Sequence, residues 1–241
     1  MFRSKQPFVL IAAVCAVFLV ATAASATPIG VLNLSSGSQQ VTVGLTFIDW
    51  LPAGGGSGTF VVGGGTTLTY AGGSVSPGDT GVILDLLAPP PVANFMTFPA
   101  DPALAFDLLM VGPGAPSTNC AGLLAFQACS IFAGSPVALV LDSLGNTNVI
   151  LAVGGIVRDG TTPATWTGSF TTQIAGRTPA QIQAAFGCTA ASVGPGGCTN
   201  QSHTETSTYS GEFLATVPEP ATFTLLGVGL AALAVYRQKR K

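Results

Sequence analysis

Hydrophobicity changes character three times along the chain. Residues 1–26 open with Arg3 and Lys5, run almost unbroken apolar from 8 to 20, and end in Ala24-Ser25-Ala26. A buried helix would show a polar face, and none interrupts this run. A basic head, an apolar middle and small residues at the end predict a secretory signal peptide, with Ala24 and Ala26 flanking the scissile bond as a signal peptidase requires.

From residue 27 the pattern alternates with period two, broken by Gly, Pro, Asn and Asp. Val41, Val43, Leu45 and Phe47 alternate with smaller or polar neighbours in 41–50, and 60–62 and 68–70 are short strand candidates between glycine runs. Segments 82–87, 104–111 and 137–141 are mostly apolar, as strands buried on both faces are, and 149–157 is rich in β-branched residues. Trp166, Gly168, Phe170, Thr172 and Ile174 share one face of the next segment, and Tyr209, Gly211, Phe213 and Ala215 share one face of the last. Eight or more short strands predict an all-β fold, an antiparallel sandwich or jelly roll. One helix is expected after Thr178, which can cap it. Pro179 fits the first helical position, Ile182, Ala185 and Phe186 form a stripe, and Gly187 can end it. About 190 residues suffice for one substantial core, so a single domain over 27–216 is expected.

The third regime begins at Val217. Pro218, Glu219 and Pro220 continue neither a helix nor a strand ladder, so they make an extended hinge. Residues 221–236 carry no charge, and Arg237, Lys239, Arg240 and Lys241 follow. As a transmembrane helix the apolar stretch spans roughly 24 Å, a little short of a typical bilayer core, and residues 217–220 bring it nearer the usual minimum. The basic end holds to the cytoplasm, which leaves the preceding domain outside, in agreement with the signal peptide.

Charge alters this picture in one respect. Between residues 27 and 217 stand Asp49, Asp79, Asp85, Asp101, Asp107, Asp142, Asp159, Glu205 and Glu212 against Arg158 and Arg177. Nine acids less two bases leave −7, against −2 for the whole chain, because the remaining bases sit at the two termini. Such a domain cannot neutralise a row of phosphates, which excludes nucleic acid as a partner. Its apolar content is too high for disorder.

Chemistry-bearing motifs are sparse. The one histidine, His203, lies in a Thr/Ser-rich stretch and is expected on an exposed strand; with no Gly-x-Ser-x-Gly, a Ser-His-Asp hydrolase has no support. Asp79 with Asp85 and Asp101 with Asp107 resemble glycosidase pairs, yet most stand beside Gly or Pro, where Asp supports turns. Gly54, Gly63, Gly72 and Gly81 recur every nine residues, but Thr59, Leu68 and Pro77 stand where a calcium-binding β-roll needs Asp. The glycine runs lack the Lys and strand-to-helix context of a phosphate loop. Exposed Trp50 and Trp166 would stack on sugars, although Trp166 alternates with Phe170 as a core residue does. No catalytic, cofactor or metal residues are expected.

Cys15 leaves with the signal peptide, and Cys120, Cys129, Cys188 and Cys198 remain. Three pairings are open, and the local pairs Cys120–Cys129 and Cys188–Cys198 are favoured because each closes a short, small-residue loop. Zinc needs closer ligand spacing.

The tail's order of Val-Pro-Glu-Pro, short apolar helix and basic cluster resembles the PEP-CTERM sorting signal of Gram-negative bacteria, a tail type also named for ice-binding proteins. The resemblance covers residues 217–241. It implies recognition of Pro218, Glu219 and Pro220 by a membrane-embedded exosortase, cleavage of the tail, and transient inner-membrane anchoring. It also implies a cell-surface or extracellular location in exopolysaccharide-producing, biofilm-forming bacteria. The reading is an exported non-enzymatic surface or matrix protein, with exopolysaccharide as an expected partner. A carbohydrate-binding module is the second reading and an exported hydrolase the third; ice binding ranks last, because Thr66, Thr67 and Thr69 are too few for a flat threonine face.

The cysteine count generates a direct prediction. Mass spectrometry of non-reduced peptides from exported protein should find two disulfides and no free thiol, each bridge adding about 2–3 kcal/mol of stability.

Overall fold

The structure, a computed structural model, describes residues 28–51, 56–161 and 163–216. The strands are β1 (Gly30–Ser35), β2 (Val41–Val43), β3 (Ile48–Trp50), β4 (Ser57–Val62), β5 (Thr69–Tyr70), β6 (Gly73–Ser74), β7 (Thr80–Leu84), β8 (Val92–Phe98), β9 (Asp101–Val111), β10 (Ala128–Ser130), β11 (Val137–Leu141), β12 (Thr147–Arg158), β13 (Ala164–Ile174), β14 (Glu205–Ser207) and β15 (Tyr209–Thr216). One helix, α1 (Pro179–Ala185), precedes a short 3₁₀ turn at Pro195–Gly197.

Ten strands form one antiparallel sheet in the order β10-β11-β12-β13-β15-β1-β4-β7-β8-β9, and β9 returns to pair with β12. The sheet therefore closes. Strand β12 makes this possible through its length: its first half holds β11, its second half holds β9 on the same edge, and β13 runs along the whole of the other edge. The expected two-layer sandwich is thus an eight-stranded barrel with a β10–β11 flap. The alternation of apolar and polar positions is the same in both, so the pattern could not separate them.

The barrel is filled by rings. Phe60, Phe98, Phe106, Trp166, Phe213, Phe170, Trp50 and Tyr209 form an unbroken series with centroid separations from 4.6 to 6.4 Å, most of them edge-on or tilted. Space for them comes from small residues at the facing register positions: Phe170 lies opposite Gly211, Phe213 opposite Gly168, and Trp166 opposite Ala215 and Gly155. A Cβ on Gly81 would lie 2.0 Å from the Phe60 ring.

Three pieces cover the ends. A small sheet, β14-β2-β3, lays Val41, Val43 and Trp50 over the inner residues of β12 and β13. Residues 63–79 close the opposite end, burying Leu68 completely. There Gly30 has φ +123°, and a Cβ on it would meet Thr67 O at 2.5 Å, so no other residue fits. Helix α1 starts at Thr178, which forms a capping box with Gln181, and it buries Ile182 and Gln183. The Gln183 amide donates to Thr118 O and Ile131 O, both at 2.9 Å, fixing the helix against the segment that carries β10.

The disulfides are the local pairs, Cys120–Cys129 and Cys188–Cys198, with Cα atoms 5.2 and 4.3 Å apart. The residues flanking the first loop bond to the second: Thr118 Oγ1 donates to Ala190 O at 2.6 Å, and Ala133 N donates to Ser192 O at 3.0 Å. The 104–111 strand is not buried on both faces, because Leu109 and Met110 are half-exposed beyond a register shift against Gly154 and Gly155.

That shift sits on the strand pair that closes the barrel. A Cβ on Gly155 would lie 1.8 Å from Asp107 O, so Gly155→Ala should force β9 off β12 and cost roughly 3 kcal/mol. Gly64→Ala, where nothing lies within 4 Å, should change stability by less than about 0.5 kcal/mol. Urea unfolding midpoints of the two variants would check the contrast.

Candidate functional site

The barrel has two distinct ends, and at one of them the first described strand starts and the last one finishes. Gly30 at the start of β1 pairs with Ala215 near the end of β15. Thr216, the last described residue, is held against Thr165: the Thr165 hydroxyl reaches the Thr216 carbonyl at 3.2 Å and its hydroxyl at 3.3 Å. The covering segment 63–79 makes this end rigid. Thr67 N donates to Val31 O at 2.8 Å, Thr69 bridges Ile29, and the buried Asp159 carboxylate takes Ala71 N at 2.6 Å. In the sequence, Val217 and Pro218 follow Thr216 with no spacer. The sorting tail thus begins on the barrel wall itself.

The tail residues Val217, Pro218, Glu219, Pro220, Arg237, Lys239, Arg240 and Lys241, and the signal-cleavage residues Ala24 and Ala26, lie outside the described residues. Among the described residues no helix is long and apolar enough to cross a membrane.

The candidate carboxylates are all engaged, and not with one another. Asp107 pairs bidentately with Arg158, Oδ2 to Nε at 2.7 Å and Oδ1 to Nη2 at 2.8 Å, and also accepts Asn94 N at 2.8 Å. The Arg158 hydrogen bonds hold its carboxyl below the usual carboxylate range, against the opposing effect of burial. Asp85 accepts Trp50 N at 2.9 Å, and burial pushes its carboxyl upward. Asp79 caps the turn at Ser76 N, and Asp101 accepts Ala103 N and bonds the Tyr70 hydroxyl, whose pKa is raised first by burial and then by that bond. These are the turn and strand-bridging duties of aspartate.

His203 differs from expectation. It lies in the loop before β14, not on a strand, and is part-buried. Its Nε2 meets Glu205 Oε1 at 2.7 Å, its ring packs edge-on against Phe186 at 4.8 Å, and Glu205 also pairs with Arg177. No hydroxyl nucleophile is among the partners of this group. Its neighbours tie the start of α1 to β14. Both tryptophans are 1% exposed and inside the barrel, so neither offers a face to a sugar. Trp50 lines a cavity of about 20 Å³ with Val41, Val137, Val149 and Phe170, too small for any ligand beyond a single water. Among the described residues no three His, Cys, Asp or Glu side chains converge as a metal site needs.

Sequence reasoning found the tail and the cysteines but missed the exposed Phe126, which has φ +67°. Its signal was the uncharged, apolar stretch between Cys120 and Cys129.

Residues 216–241 match the PEP-CTERM protein-sorting motif, beginning on the last residue of β15. No curated protein and no solved structure matches the chain. A chain carrying this motif is an exported protein of the cell envelope, sorted by an exosortase.

The two perturbed aspartates give opposite pH signatures. The depressed Asp107 carboxyl adds stability that is complete above the ordinary value of about 3.9 and is lost as pH falls through that value toward the folded one. The raised Asp85 carboxyl contributes most below that value, and its contribution is lost as pH rises through the folded pKa. Asp107→Asn should therefore cost about 1 kcal/mol at pH 7, with the deficit shrinking in acid. Asp85→Asn, which keeps an acceptor for Trp50 N, should be neutral or stabilising at pH 7. Urea titrations between pH 3 and 7 would decide both.

Proposed function

We propose that this protein is a non-enzymatic surface or matrix component, delivered across the inner membrane and processed by an exosortase, with the barrel as the delivered module. The observation that carries the reading is the sorting motif starting on the last residue of β15. Tail and module are continuous, and the described strands before the motif close a barrel filled with its own side chains. Such a lumen holds no substrate, and the carboxylates that a hydrolase would use are spent on backbone N–H groups and on Arg158. The tail supplies a transient inner-membrane hold, and the mature location is the cell surface or the extracellular polysaccharide matrix. The segment Pro218-Glu219-Pro220 is the recognition element, since prolines there favour the extended chain a protease active site takes.

A plain anchor is indifferent to the order of these three residues. Replacing them with alanines leaves the apolar length and basic end unchanged, so an anchor would behave as wild type. If they direct processing, the variant should accumulate in the native host as a larger precursor in the inner membrane. Cell fractionation and immunoblotting would show it; wild type and variant of equal size and location would reject the proposal.

A further inference from the structure

Two turns project from the end of the barrel opposite the termini. The first is the disulfide-closed loop between Cys120 and Cys129, whose residues are Ala121, Gly122, Leu123, Leu124, Ala125, Phe126, Gln127 and Ala128, with no charge among them. The second is the β11–β12 turn around Leu144. They are neighbours, because Phe126 N donates to Leu141 O at 2.6 Å and Leu141 N to Gln127 O at 3.1 Å. Leu124, Phe126 and Leu144 are 69%, 76% and 83% exposed. Phe126 is held at φ +67°, a conformation that costs a bulky residue energy and that here turns its ring outward. A loop that pays strain to expose a ring, and that a disulfide holds in place, is built for contact.

The chemistry around the pad decides what it contacts. A sugar needs directed hydrogen bonds beside the ring, but the side-chain acceptor oxygens of these turns already serve the turns themselves. Asp142 accepts Leu144 N, Asn146 N, the Asn146 amide and the Gln173 amide. Gln127 Oε1 accepts Leu124 N, Asn119 Oδ1 accepts Ala121 N, and Asn146 Oδ1 accepts Gly176 N. The three apolar side chains offer on the order of 400 Å², about half of what each partner buries in a stable protein interface. An apolar phase needs neither directed hydrogen bonds nor a large matching surface. With no Lys or Arg in either turn, nothing draws the pad to anionic headgroups.

We propose that Leu124, Phe126 and Leu144 form a pad that inserts into a neutral lipid surface. The tail leaves from the other end of the barrel, roughly 30 Å away along β12, so a barrel held by its tail presents the pad to a second lipid surface. The inference stands whether or not the tail is cleaved.

The full chain, reconstituted into phosphatidylcholine vesicles, should capture labelled protein-free phosphatidylcholine vesicles in a flotation assay, equally at 0.1 and 1 M salt. Leu124→Ser combined with Phe126→Ser and Leu144→Ser should reduce capture at least tenfold. Phe126→Gly, which suits the positive φ, should weaken capture several-fold without lowering the thermal midpoint; a merely structural ring would lower it. Protein that floats but captures nothing, capture that survives the triple substitution, capture confined to phosphatidylglycerol and abolished by salt, retention on polysaccharide in place of vesicles, or protein that fails to float at all would each overturn the proposal.

Discussion

The lumen of an eight-stranded barrel is about one side chain wide, and in this protein it has to be filled from the wall. Rings on one strand meet glycine or alanine at the facing position on the next, so Phe170 and Phe213 occupy the width that Gly211 and Gly168 leave. This matching sets both the register and the packing. A one-residue slip of β15 along β13 would turn Tyr209 and Phe213 to solvent and bring Glu212 into the core. The rest of the structure, including the absence of an internal ligand site among the described residues, follows from a lumen already full.

Closure depends on a narrower arrangement where β9 meets β12. The register shift at Gly154 and Gly155 leaves Asp107 O turned toward the lumen, where the Trp166 indole N–H donates to it at 3.1 Å. The Asp107 carboxylate binds Arg158 on the neighbouring strand. One residue thus ties the seam on both sides, through its carbonyl inward and its side chain outward. Asp85 on Trp50 N and Asp159 on Ala71 N tie separate elements in the same way.

The two ends of the barrel differ in kind. One is capped by backbone pairing of Thr67 and Thr69 with Val31 and Ile29 and holds the first and last described residues; the other carries the disulfide loops, the helix and the apolar turns. Because β1 and β15 are antiparallel neighbours, the last residue of β15, where the sorting motif begins, lies beside the start of β1. The end with Phe126 is the one that faces away from the start of the sorting motif.

The order of residues determined the elements whose signals are local. The tail follows from contiguous hydrophobicity, prolines and terminal charge. Helix α1 follows from Thr178, Pro179, Gln181 and Gly187, all within one turn of its ends. The disulfide pairs follow from loops too short and supple to prefer distant partners. Strands β13 and β15 follow from period-two alternation, and β12 from its β-branched residues. What tertiary structure alone decided is how the strands join. Sandwich and barrel require the same alternation, and closure rests on β12 being long enough to hold β11 and β9 in succession, with a register shift that only the partner strand reveals. Strands β1 and β8 are not anticipated from the sequence: β1 alternates, with Leu32 and Leu34 buried and Asn33 and Ser35 less so, but over only six residues, and Asn94 breaks β8 at positive φ. The burial of both tryptophans and the pairing of His203 with Glu205 also depend on residues far away in the chain, and only the folded barrel brings those residues together.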